Sequence, residues 1–576
     1  MTLIFEKRFE RTLSRLVADA KPDQNFEAWT FDDRQSRQEA ERKLNEKGVQ
    51  ARIRSAYKPL VNAFIEDIDL QGVNAIEIRY PVHPNAPDNR FRLEGYPLAA
   101  MVGDRKIAFV ARADSDFHYD VLLTTDAGEE RQVKVLVPNH VHIDAAGETS
   151  VSPTGWLVPD GSATGERLVT DYEALFEETI AAVTRFDWGV TEPYFEELNI
   201  RVALPVADEA LPVGDEVMSL REALHEDIYF SLLEFFQKKS GRPLGDRGLK
   251  PGQIVPQILA SSDEISVRVE TQPLTSHYWD EAEQQLDTAT EPLAVQQIEA
   301  ELVKIGGEAF EAVTRSGRTV RARYVKGRDA AVMISGGQHA NETTGGAGAL
   351  RAAKRLAKVE GAHFTISPLE NPDGYALHQR LRKDSPRHMY HAARYTALGD
   401  DLEYRTEQNA GPYLFEKKIR FQAEKLSGAQ LHVNLHGYPA HEWTRPLSGY
   451  VPRNFAMWTL PKGFFLIARY HSGWATQAEQ LLDKVTKHLG AIPGLLGYND
   501  RQIALYETHA GETGFRIING FPCLANIDDR HTVPMTLITE YPDETIYGEA
   551  FIAGHTAQME TVLSAYGAWQ EIMASS

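Results

Sequence analysis

Ala331–Glu342 reads AVMISGGQHANE. Ala331–Ile334 is a short apolar run of strand type, Gly336 and Gly337 let the chain bend sharply, and His339 and Glu342 follow three apart. A helix is expected immediately afterwards, at about Gly345–Val359. The same alternation continues outward. His363–Ser367 (HFTIS), Leu431–Leu435 (LHVNL) and Met535–Thr539 (MTLIT) read as strands. Residues 413–427, Ser472–His488 and about 548–574 read as helices. Strands interleaved with helices predict an α/β fold over residues 291–576, with helices on both faces of the sheet.

The chain ahead of this region has a different texture. The first 70 residues are polar and mostly helical in pattern, and β character begins near Asn74. Ala75–Tyr80, Lys106–Ala111, His118–Thr124 and Gln132–Val137 are short β-branched or aromatic runs, with Asp126-Ala-Gly128 as a turn between the last two. A β-rich N-terminal module over 1–165 is the simplest division, followed by a mixed α+β accessory region over 166–290. There, Asp171–Arg185 has helical spacing, and Met218–Lys239 is a stronger helix. Ser219 and Glu222 form an expected capping box, Leu220, Leu224, Ile228, Leu232 and Phe235 share one face, and Gly241 is the stop. Glu264–Val269 reads as a strand.

The 576 residues are enough for three or four domains at roughly 100–200 residues each. Lys and Arg number 61 against 82 Asp and Glu, a formal charge of −21, which disfavours general binding to nucleic acid or an anionic membrane. The single cysteine, Cys523, excludes an intramolecular disulfide and a cysteine-based zinc finger, reads as a small buried residue, and points to a reducing compartment. Met1–Ala20 carries no apolar run of signal-peptide length, and no stretch of about 18 apolar residues occurs, so a cytoplasmic protein without a membrane span is expected.

Open α/β sheets hold ligands beyond the carboxyl ends of their strands. AVMI is followed by His339 and Glu342, LHVNL by His436, and MTLIT by Glu540. Two imidazoles and a carboxylate are a zinc donor set that leaves a position for water, and a further carboxylate can take that water's proton. His339, Glu342 and His436 are therefore the candidate ligands of one Zn2+ per chain, with Glu540 the candidate base.

With Thr314-Arg-Ser-Gly-Arg-Thr-Val320 before this strand and Asn371-Pro-Asp-Gly374 after it, residues 295–560 resemble the zinc carboxypeptidases, the M14 metallopeptidases. The resemblance implies a carboxypeptidase-like mixed sheet, zinc on His339, Glu342 and His436, and Glu540 as base and proton shuttle. It also implies an arginine shortly after NPDG that stabilises the oxyanion, for which Arg382 is the choice and Arg380 the alternative. Asp401 matches the aspartate that holds a ligand histidine in its tautomer, against a solvated acidic turn as the other reading. The usual Asn-Arg pair for a substrate's C-terminal carboxylate is missing. Arg405 is the candidate shifted fork, with a structural salt bridge as its alternative. Tyr506 is a guess for the tyrosine that closes over substrate.

The implied activity is hydrolysis of an amide in a small peptide or acyl amino acid, acidic ones included. The alternatives are an N-acyl-amino-acid deacylase or deamidase on the same site, and a binding module without turnover. Other motifs have blander readings. His140-Val-His142 resembles the paired ligands of a metal-dependent amidohydrolase, but packed histidines are the default. His509-Ala-Gly-Glu512 repeats the ligand spacing in what reads as a loop, and Glu222-Ala-Leu-His225 reads as a helix face or domain contact. Arg380, Arg382, Lys383, Arg387, His388, His391 and Arg394 form a basic stretch, either a salt-bridged face or a mouth for acidic substrates. Trp443, Trp458 and Phe464-Phe465 are candidates for core packing or a pocket wall.

Overall fold

The computed structural model describes every residue except 161, 163, 280, 409, 410, 454, 455 and 576, together with all but the side chain of 456. Nine strands form the sheet of the C-terminal half and are numbered within it. They are β1 (Glu308–Val313), β2 (Thr319–Val325), β3 (Val332–Gly336), β4 (Phe364–Ser367), β5 (Leu431–Pro439), β6 (Phe465–Tyr470), β7 (Arg516–Ile518), β8 (Phe521–Ile527) and β9 (Met535–Glu544). Their order across the sheet is β1-β2-β4-β3-β5-β9-β6-β8-β7. The central run β4, β3, β5 and β9 is parallel, and antiparallel pairs flank it on both sides, so the sheet is mixed.

Successive side chains of a strand point to opposite faces, and both faces here are covered. Val332 and Ile334 pack with Leu350, Leu481 and Trp569 from helices Thr344–Leu356, Ala475–Leu489 and Glu549–Ala574. Met333, between them, packs with Ala423 of helix Lys418–Ser427 on the other side. The expected α/β architecture with helices on both faces is what the chain forms. Burial on both faces also lets β5 and β9 run past the expected ends, to Pro439 and Glu544, every residue buried. His436 and Glu540 consequently lie within strands rather than beyond them.

The N-terminal half departs more from expectation. Three strands, Thr2–Phe9, Asn25–Thr30 and Gln50–Ser55, lie in the stretch read as mostly helical. Thr2–Phe9 pairs with Ile265–Gln272, which pairs with Glu197–Leu204, itself beside Gln253–Ala260. The boundary expected near residue 165 therefore has a sheet shared across it. Helix Leu220–Lys239 is buried on nearly all sides rather than along one apolar face. The Ser219 hydroxyl accepts from the Glu222 amide at 3.0 Å, as expected of a cap. The Glu222 carboxylate does not complete the box. It accepts from the Met389 amide at 2.9 Å and meets Nε2 of His441 at 2.8 Å.

That helix joins the halves. Phe230 and Leu233 share one hydrophobic core with Leu381, Tyr395, Trp443 and Tyr450 of the C-terminal half. Acidic groups on the helix hold the same loops: Asp227 accepts from Leu447 N at 2.8 Å, Glu234 pairs with Arg445 at 2.9 Å, and Glu226 meets His391 at 2.7 Å. The basic stretch is largely spent on this seam. Arg380 binds Glu197 at 2.8 Å, Arg387 binds Asp215 at 3.3 Å, and His388 binds Asp208 at 2.8 Å. Most of it is a salt-bridged face between regions, not a mouth. Among the described residues no helix is long and apolar enough to cross a membrane.

Two outcomes follow from this seam. Residues 291–576 expressed alone expose half of a shared core, so they are expected to lack the single cooperative thermal transition of the full chain; calorimetry of both checks this. Burial also pushes Glu226 up to about 8 and Asp227 up to about 7. Their stabilisation is complete below the unfolded carboxylate values and is lost as pH rises through about 7–8. The melting temperature should fall between about pH 5 and pH 8.5, and Glu226→Gln, which cannot ionise, should flatten part of that fall.

Candidate metal centre

His339 and Glu342 sit in the turn between β3 and helix Thr344–Leu356, where the Glu342 amide donates to the His339 carbonyl at 3.3 Å. Gly337 makes that turn possible: its φ is +65°, and a Cβ there would lie 2.9 Å from Leu369. His436 comes from β5, where its backbone amide donates to the Thr539 hydroxyl at 3.0 Å. The β5–β9 register sets His436 directly beside Glu540. The two motifs flanking β3 are joined as well. Asp373 of the NPDG segment accepts from Thr314 at 2.9 Å and pairs with Arg318 at 3.0 Å, while Asn371 caps helix Pro372–Arg382 through the Gly374 amide at 3.0 Å.

Nδ1 of His339 lies 2.8 Å from Oε1 of Glu342 and 3.0 Å from Nδ1 of His436. Nδ1 of His436 is also 3.0 Å from Oε2 of Glu342. A ring nitrogen has one in-plane proton or lone pair, so these contacts cannot all be hydrogen bonds. Oε2 of Glu342 is buried and makes none. Zinc bonds of about 2.0–2.2 Å would set tetrahedral ligands about 3.3 Å apart, close to these separations. Two imidazoles and one carboxylate converging on a point, all buried, are residues that fit zinc.

The surroundings hold that geometry. Oδ2 of Asp401 is 3.3 Å from Nε2 of His339, while its Oδ1 accepts from Gln338 at 3.1 Å and from the Glu403 amide at 3.0 Å. Asp401 is buried, so the solvated-turn reading fails. Burial works against the Glu342 charge, but His339, Arg394 and His436 overcome it and hold the carboxyl well below its usual value. Burial and then the Glu342 charge push Glu540 well above the ordinary range, although Arg394 and Lys462 pull it back. One carboxyl is thus held ionised, as a metal ligand must be, while the other keeps a raised affinity for a proton.

Arg382 does not reach this centre. It ends its helix on the side of Glu281 and Glu291, pairing with both, the latter at 3.6 Å. Arg380 is held by Glu197. Arg394 does reach it: its Nη1 donates to Oε1 of Glu342 at 2.5 Å and lies 3.8 Å from Glu544. Arg405 is the structural salt bridge: it binds Asp400 at 2.7 Å and Glu416 at 2.6 Å, and it is 3 % exposed. Tyr506 stands over the ammonium of Lys462 at 5.4 Å and does not line the cavity at the centre.

That cavity, about 270 Å³, is lined by His339, His436, Glu540, Arg394, Trp443 and Trp458, and by Ile467, Ile538 and Arg469 of the sheet. Phe464 and Phe465 are core. Phe230 and Arg247 of the accessory region also line it, and Arg247 is 3.6 Å from Asp401. Neither Arg394 nor Arg247 was singled out by spacing. Arg394 is one cation among many in its stretch, and Arg247 lies in a Gly-rich turn far from any ligand motif.

The remaining histidine motifs are structural. His509 ends a helix, Leu495–Ala510, accepts from the Ala99 amide at 3.2 Å and packs on Tyr96 and Phe109. His225 binds the Pro256 carbonyl at 2.7 Å. His140 and His142 stack on one another 4.8 Å apart, and His142 meets Ser152 at 2.9 Å. Cys523 is buried.

No family model and no curated protein matches the chain. Among solved structures it is similar to a metallo-carboxypeptidase from Burkholderia cenocepacia, at 14 % identity over 54 % of this chain and 76 % of that one, with a TM-score of 0.29. It is also similar to a succinylglutamate desuccinylase/aspartoacylase from Rhodobacter sphaeroides, at 14 % identity over 45 % and 65 % of the two chains, with a TM-score of 0.25.

Zinc titration checks the cluster directly. The full chain should take up one zinc, His436→Ala should lose it, and Asp401→Asn should weaken it by about 10–100-fold, because the His339 ring loses its orienting partner.

Proposed function

We propose that the chain is a zinc-dependent hydrolase of the carboxypeptidase type, cleaving an amide bond in a small peptide or acyl amino acid. The observation that carries this reading is Glu540 beside His436 in the same register, lining one cavity with His339 and Arg394, while Glu342 converges with the two histidines. Zinc bound by His339, Glu342 and His436 supplies a Lewis acid that acidifies water and polarises a carbonyl. Glu540 takes a proton from water at the carbonyl carbon, its raised proton affinity suiting the task. Arg394 donates toward the oxygen on which negative charge develops, already oriented by Glu342. Glu540 then returns the proton to the leaving nitrogen, so one carboxyl serves as base and acid. Trp443, Trp458, Phe230 and Ile538 exclude water and give the substrate an apolar wall.

A second reading has its own support. Arg405 is committed to Asp400 and Glu416, so the guanidinium expected to receive a peptide's C-terminal carboxylate is occupied. A cavity of about 270 Å³ accommodates a compact molecule. Both favour deacylation or deamidation of an N-acyl amino acid over trimming of longer peptides. Hydrolysis of acyl amino acids but not of dipeptides would select it, and the reverse preference would exclude it.

The catalytic roles separate in variants. Glu540→Gln should keep the metal and lose about 10²–10⁴ in kcat. Arg394→Ala should lose about 10²–10³ in kcat, while Arg382→Ala retains near-parental kcat. Equal loss from the two arginine variants would remove Arg394 from the mechanism.

A further inference from the structure

A second cavity, about 370 Å³, lies behind Glu403, which lines both it and the metal-centre cavity. Its character is unlike the rest of this acidic chain. Lys417, Arg420, Lys425, Arg530, His432 and His531 all line it. The arginines have their counter-charges: Arg420 binds Glu370 at 2.6 Å and Glu403 at 3.3 Å, and Arg530 binds Asp528 at 2.6 Å. Lys417 has none. It is 3 % exposed, and its Nζ is buried without a hydrogen-bond partner or a carboxylate in ion-pair range among the described residues.

Glu403 and Glu424 on the wall feel the Lys417 charge, but neither hydrogen-bonds its ammonium. Glu403 is engaged by Arg420, by Arg469 at 2.5 Å and by His531 at 2.9 Å. Burial pushes Glu424 above its usual value. Burying an ammonium without a partner is costly, and folded chains rarely retain one unless something answers it. A small anion entering the cavity would do so. Lys425 and Arg530 at the exposed rim give it an attractive path inward.

We propose that this cavity binds the oxyanion group, carboxylate or phosphate, of a small soluble molecule, with Lys417 as its central counter-charge. Burial lowers Lys417 to about 8, which still leaves it mostly protonated near neutral pH. The site uses none of the metal ligands. It is nevertheless linked to them, because Arg420 also donates to Gln338, the neighbour of His339 and a donor to Asp401. The volume exceeds that of a bare inorganic ion and suits a small organic acid or phosphate ester.

Calorimetric titration of the full chain with inorganic phosphate and, separately, with succinate tests the site. Saturable binding of at least one is expected, and it should weaken about tenfold or more in Lys417→Met. Glu540→Gln should bind as the parent does, which separates this site from the metal centre. Methionine removes the unpartnered charge at similar length, so that variant is expected to fold and to melt above the parent in anion-free buffer. Lys425→Gln, on the exposed rim, gives a second reading and should weaken binding several-fold at low salt only. Phosphate alone, succinate alone or both binding in a Lys417-dependent way supports the site and names its preferred head group. No saturable binding at millimolar anion, or equal binding by parent and Lys417→Met, overturns it.

Discussion

Between β5 and β9, hydrogen-bonded pairing runs unbroken from Leu431 opposite Met535 to His436 opposite Glu540, and shifts only near Pro439. Because both strands are buried on both faces, a slip of one residue would turn the apolar side chains of each toward the wrong layer. The register that packs Leu431, Val433 and Leu435 against the helices therefore also fixes His436 beside Glu540. Gly437 tightens this further, since a Cβ there would lie 1.9 Å from the Asp543 carboxylate of the neighbouring strand. The imidazole from β5 and the carboxylate from β9 need no separate positioning device. Only the turn after β3 has to be brought to them, and Gly337 brings it.

Charges then settle by burial and by neighbours. Glu342 is encircled by His339, His436 and Arg394, whereas Glu540 faces the same cluster with fewer cations close by. Two carboxyls that feel each other's charge acquire opposite tendencies without any difference in chemical type.

The sequence carries the sheet and the three converging side chains clearly because both depend on local pattern. Apolar runs of strand length, the bend at Gly336-Gly337 and the His-x-x-Glu spacing are all short-range features. What it does not display is side-chain pairing across long separations. Arg380, Arg382 and Arg394 are similar in composition and neighbourhood, and only the fold decides that the first two meet Glu197 and Glu281 while the third meets Glu342. Arg405 likewise looks like a substrate fork until Asp400 and Glu416 are seen around it. The early strands were hidden for another reason. Thr2–Phe9 has three charged residues in eight and is mostly exposed, and it is ordered by pairing with Ile265–Gln272, some 260 residues away.

Arg247 and Phe230 reach the metal-centre cavity from a region that contributes no ligand, base or strand to the sheet beneath it. Under the proposed function, the reacting groups and part of the wall that a substrate would meet lie in separate stretches of one chain. Changes around Leu220–Lys239 or in the turn at Arg247 can alter which molecules fit while leaving the metal cluster intact. The seam of ion pairs and shared core that binds these stretches keeps them in step. On that reading, selectivity would be adjustable apart from the reacting groups, within limits set by a joint that lies outside the metal centre.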